Sequence, residues 1–207
     1  MRMLTLAAAA LVAAAPAAAQ QAAPSQLPAG WQARTDKDAP LEGVKFVSMA
    51  GGVHATTGPA AILWRPGDQA QGDFAVAASF TQTKAPQHPE AYGLFVGGRA
   101  LQGPEQTYTY FLVRGDGKFL IKTRTGATTA NVTTGWAEHG AVVKADAAGK
   151  ATNALRIERA GDRVRFLVNG TEVHSAAAAD VETGGQVGLR INHNLDVHVD
   201  GFVVEKK

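Results

Sequence analysis

The sequence predicts an all-β protein, a sandwich of two antiparallel sheets, on three observations. Short runs alternate apolar and polar residues with a period of two. Gly, Asp and Asn punctuate those runs, with 23 glycines among 207 residues. Past the N-terminus no long stretch sustains helical periodicity, and no strand–helix–strand rhythm suggests a parallel sheet.

The elements follow in order. Residues 1–19 read as a secretory leader: Arg2 is the basic end, an apolar run extends from Leu4 to Ala15, and Ala17-Ala18-Ala19 suits cleavage. That run is shorter than the roughly 20 residues a spanning helix needs. Residues 20–40, rich in Ala, Pro and Gln, read as a linker, and 41–207 as one domain. Strands are expected at "VKFVS" (44–48), "GVHAT" (52–56), "AILWR" (61–65), "DFAVAASFTQ" (73–82) and "YGLFVGG" (92–98). "TYTYFLVRGDGKFLIKTR" (107–124) reads as a hairpin with a type I′ turn at Asp116-Gly117. "NALRIERAGDRVRFLVNGTEVHS" (153–175) holds turns at Ala160-Gly161-Asp162 and Asn169-Gly170, and "QVGLRIN" (186–192) and "VHVDGFVVEK" (197–206) close the domain. Only 146–152 and 174–182 have room for a short helix.

Composition bounds the function. With no cysteine there is no disulfide and no lipid-anchored cysteine, which with the leader points to a bacterial periplasmic or secreted protein. Twenty Lys and Arg oppose 18 Asp and Glu. No basic cluster interleaves with aromatics, so nucleic acid is not an expected partner. No membrane span is expected after the leader.

The second half resembles the C-terminal half of concanavalin A-like jelly rolls, and most closely the 3-keto-disaccharide hydrolase-like domain. The residues that carry this are Val168-Asn169-Gly170, Gly185-Gln186-Val187-Gly188-Leu189 and Phe202-Val203-Val204; "GDFAVAASF" (72–80) resembles an earlier strand of that family. The resemblance spans roughly 43–205 and implies a jelly-roll β-sandwich that handles carbohydrate. Catalytic members carry a Glu and a Gln two apart on a strand after a Tyr. The matching stretch here, "YTYFLVR" (108–114), has no carboxylate. The Glu-x-Asp-x-x-Glu strand of laminarinase-type members is also missing. Neither catalytic set transfers.

The polar-rich stretch "RINHNLDVHVD" (190–200) poses the site question. Alternation buries Val187, Leu189 and Ile191 and turns Arg190 and Asn192 outward. Arg190→Ala is therefore expected to stay within about 0.5 kcal/mol of the parent. Asp196, His198 and Asp200 share the other strand's outer face, but same-face neighbours sit about 7 Å apart, a poor chelating geometry. No tightly bound zinc or iron is expected; calcium is not excluded, because carbonyl ligands leave no mark in a sequence.

Trp64, Tyr92, Tyr110, Lys122, Arg124, Arg190, Asn192 and His193 are the candidate ligand-binding residues, on one concave sheet with Arg190 beside Arg124. Aromatic faces stack on sugar C–H faces while Arg, Asn and His hold hydroxyls. The alternative for Trp64 and the tyrosines is core packing. A carbohydrate-interacting protein is the leading expectation. A glycoside-processing hydrolase or lyase is the second, with His88, Glu90, His139 and His193 as acid–base residues. A structural envelope protein is the third. An enzyme requires a carboxylate and a histidine in one cleft. A lectin requires an exposed aromatic platform and donors.

Overall fold

The computed structural model describes residues 27–37, 39–49 and 51–207. The expected leader lies outside them. Fifteen strands and one 3-10 turn (Leu41–Gly43) make up the regular structure of the described residues. Sheet A contains β1 (Gln32–Thr35), β4 (Ala61–Ala70), β6 (Ala91–Arg99), β7 (Thr107–Arg114), β8 (Lys118–Thr125), β9 (Thr128–Asn131), β10 (Ala137–Glu138) and β14 (Gly185–Ile191). Their order is β1-β4-β14-β6-β7-β8-β10, and β9 also pairs with β8. Sheet B runs β13-β12-β11-β5-β15-β3-β2. It holds β2 (Val44–Met49), β3 (Gly52–Thr57), β5 (Phe74–Gln82), β11 (Ala151–Ala160), β12 (Arg163–Val168), β13 (Thr171–Ala177) and β15 (Asp196–Lys206). Every strand pairing is antiparallel.

The main core fills the space between the sheets. Phe111 of sheet A meets Phe166 of sheet B edge to face, 5.5 Å between centroids. Val187, Leu189 and Ile191 face this core and are fully buried, as their alternation predicts. Sheet A also carries a second buried apolar cluster on its outer face: Ile62, Trp64, Phe95, Leu101, Tyr108, Tyr110 and Leu112 with Ala91. Gly188 makes this cluster possible. A Cβ there would meet the Leu63 carbonyl oxygen at 2.1 Å and the Phe95 ring at 2.6 Å.

Three local expectations are corrected. The stretch read as linker includes β1, which pairs with β4 from Gln32↔Trp64 to Thr35↔Ala61. The hairpin at 114–118 has a three-residue loop, since Arg114 pairs with Lys118 and only Gly117 has positive φ, +87°. That is a type I turn closed by a left-handed glycine, not a type I′ turn. Residues 146–152 and 174–182 form turns and strand, not helix. The Asn169-Gly170 turn does take the type I′ form, with φ of +51° and +80°.

Candidate functional site

Two polar arrangements stand on sheet A. The first is centred on Arg190, which shares its parity with the outer-face cluster. Arg190 is 5% exposed, so it is not the solvated residue that alternation alone suggests. Its two terminal nitrogens donate to both Asp36 oxygens at 2.8 and 2.7 Å, and Nη1 also donates to the Tyr108 hydroxyl at 3.0 Å. The guanidinium lies 4.8 Å from the Tyr110 ring centroid. Arg124 reaches the same carboxylate at 3.3 Å, so Arg124 and Arg190 do lie together. Burial alone would raise the Asp36 pKa. The Arg190 hydrogen bond and the charges of Arg190 and Arg124 outweigh it and hold the carboxyl below its ordinary value. Burial raises both Tyr108 and Tyr110.

This face is roofed. Leu101 packs into the apolar cluster, Arg34 Nη1 donates to the Gly103 carbonyl at 2.7 Å, and Gln102 donates to Gln32. Trp64 and Tyr110 are buried beneath, 1% and 5% exposed, and offer no open stacking platform. Tyr92 takes the other parity altogether. It shares a face with Leu94 and Val96, stacks on Phe80 at 5.5 Å, and its hydroxyl accepts a hydrogen bond from Asn153 inside the main core. Lys122 is half-buried on the outer face, beside Tyr110 in register.

The second arrangement lies at the end of the sheet, where His88, Glu90 and His193 meet. Glu90 leads into β6 and His193 follows β14. These strands are neighbours, and Asn192 N–H donates to the Ala91 carbonyl at 3.0 Å. His193 Nδ1 lies 2.8 Å and His88 Nε2 3.3 Å from Glu90 Oε1. The two imidazoles stack, with centroids 6.3 Å apart. Glu90 is buried while both histidine rings are exposed, which sets the carboxylate at the bottom of the cluster. Asn192, just before His193, keeps a buried side-chain oxygen without a partner.

A cavity of about 300 Å³ adjoins this cluster, lined by residues 85–90, Gln82, Gly115, Asp116, Ala145–Ala147 and Gly149. Two further carboxylates on its wall are already engaged. Asp116 is gripped by Arg114 at 2.8 and 2.5 Å, which lowers its pKa, and Asp146 accepts from Ala148 and Lys150 N–H at 2.9 Å. Trp136 is 37% exposed, and the Arg114 guanidinium lies 4.4 Å from its ring centroid. His139 stands apart from the cluster: it packs edge-on against Phe119 and accepts from Ala141 N–H at 3.1 Å.

The Asp196, His198 and Asp200 trio projects from sheet B instead. His54 pairs with Asp196 at 3.0 Å and His198 with Asp200 at 2.9 Å, while Lys84 and Thr83 also hold Asp196. The trio is therefore split into separate pairs rather than pointed at one centre.

Sequence reasoning missed Asp36, Tyr108, Asp116 and Trp136. Asp36 sits in the stretch read as linker. The others change meaning only when strands are paired.

No protein-family model matches the chain, and no curated protein sequence matches it. Solved structures do. The carbohydrate-binding module CBM66 from Bacillus subtilis superposes with a TM-score of 0.63 at 14% identity, over 88% of this chain and 98% of that one. A protein of unknown function with a galectin-like fold, also from Bacillus subtilis, gives 0.61 at 13% identity, over 84% and 88%. A putative glycosyl hydrolase from Parabacteroides distasonis gives 0.53 at 15% identity, over 85% and 100%. With two antiparallel sheets in this strand order and these neighbours, the chain has the concanavalin A-like jelly-roll β-sandwich fold.

Proposed function

We propose that the protein is an exported carbohydrate-interacting β-sandwich that takes a saccharide at the end of sheet A, in the cavity beside His88, Glu90 and His193. One observation carries this reading: a buried carboxylate and two exposed imidazoles from two distant segments converge, and two of the three, His88 and Glu90, line one cavity. Ala85, Pro86, Pro89 and Ala145 give that cavity apolar wall, while Gln82, His88 and Glu90 supply donors and acceptors for hydroxyls. Its volume is at the low end for small-molecule sites, which favours a terminal sugar unit over a long glycan. The leader-like residues 1–19 and the lack of cysteine support export. Sequencing of the exported chain is expected to start at residue 20 or 21.

A glycan array on the exported chain, followed by calorimetric titration of each hit, tests the site. Glu90→Gln and His193→Ala should each weaken binding by about tenfold or more, since a buried acceptor or its partner is lost. Binding that survives both substitutions unchanged puts the saccharide elsewhere.

A second reading, a glycan-processing enzyme, is favoured by the 2.8 Å contact between Glu90 and His193, a carboxylate–imidazole pair suited to proton transfer. Two-carboxylate hydrolysis fits less well, because Asp116 and Asp146 are both held by other groups. Proton abstraction by a lyase fits better. Product formation from an array hit, abolished in Glu90→Gln, is the expected sign.

A further inference from the structure

We propose that His88, Glu90 and His193 form a binding site for a divalent transition metal of the zinc class. The ligand atoms are His88 Nε2, Glu90 Oε1 and His193 Nδ1, all within 4.8 Å of one another. Two imidazoles with one carboxylate select zinc and its first-row neighbours over calcium or magnesium, which take oxygen ligands. Zinc bonds of about 2.0–2.2 Å in a tetrahedron set neighbouring ligand atoms about 3.4 Å apart. The separations from Glu90 Oε1, 2.8 and 3.3 Å, fall just short of that value. The two histidines need only swing exposed rings to complete the geometry.

The frame is rigid where a metal site needs rigidity. Pro89 fixes the backbone between His88 and Glu90. Glu90 opens directly into β6. His193 sits in the tight link between β14 and β15, where Asn194 has φ +53°. The Asn192 to Ala91 hydrogen bond ties the two segments together. Three protein ligands leave coordination positions free beside the cavity, as in sites where a water or substrate oxygen completes the shell. The sequence marks these three residues as acid–base candidates and predicts no tightly bound zinc; with 103 residues between Glu90 and His193, it does not show that their ligand atoms converge.

The inference uses the same cluster as the saccharide reading, and its test uses the metal alone. The exported chain, purified without a polyhistidine tag and stripped with chelator, is titrated with zinc by calorimetry and with cobalt by visible absorption. One equivalent should bind, and zinc should raise the melting temperature. His88→Ala, His193→Ala and Glu90→Gln should each weaken binding on the order of tenfold or more, with an unchanged metal-free melting temperature for His88→Ala, whose exposed ring is the more distant partner of Glu90. His54→Ala and His139→Ala should bind like the parent. No binding by the parent overturns the proposal, as does equal binding by all three cluster variants. Zinc binding with no glycan hit removes only the saccharide reading. Glycan binding by a stripped chain that takes up no zinc removes only the metal.

Discussion

At Arg190 the pairing of charges decides what alternation cannot. Parity turns its side chain away from the main core, yet Asp36, Tyr108 and Tyr110 enclose it. Removing one member of a buried pair leaves the other uncompensated, so Arg190→Ala should cost about 3 kcal/mol. That is comparable to the roughly 2–5 kcal/mol of the core truncation Leu189→Ala. Chemical denaturation of the two variants checks this; a loss near zero for Arg190→Ala would restore the solvated reading. Asp36 adds a pH dependence whose sign is fixed. Its pKa is depressed in the folded chain, so its contribution is complete above the ordinary carboxylate range and is lost as pH falls through the lowered value. The stability gap between the parent and Asp36→Asn should therefore close on acidification. A gap that widens contradicts the assignment.

Strands and turns were the most legible level. The apolar alternation of 187–191 fixes which side chains are inside, and the structure agrees at all three positions. Tyr92 was just as readable, because it shares parity with Leu94 and Val96. That parity turns its ring into the core and away from any sugar-stacking face. His88, Glu90 and His193 were legible as candidates, but their meeting, and the separation of His139 from them, depends on β14 lying beside β6, a pairing no local window contains. β1 was not legible: four residues after a Pro- and Ala-rich run give too short a pattern to separate from linker. Turn chemistry was half readable, since the Asp-Gly pair at 116–117 occurs in both two- and three-residue loops. Gly188 offers an element-level test. Gly188→Ala should lower the denaturation midpoint through about 1–3 kcal/mol of lost stability, as the new methyl has no space between Leu63 and Phe95. An unchanged midpoint would mean the outer-face cluster is loosely packed.

For the whole molecule, β1 and Asp36 make the N-terminal stretch part of the sandwich. A chain beginning at residue 41 should unfold at a lower denaturant concentration than one beginning at residue 21, and should bind an apolar dye where Trp64 loses its edge strand. Matching midpoints would show that the early residues are dispensable. The strand order also bears on how the protein is made. β14 lies between β4 and β6, and β15 between β5 and β3, so the two latest strands in the sequence are the central joints of their sheets. While a ribosome is still extending the chain, neither sheet can be continuous, and Asp36 waits 154 residues for Arg190. Both layers can therefore close only once the last strands of the chain have been made.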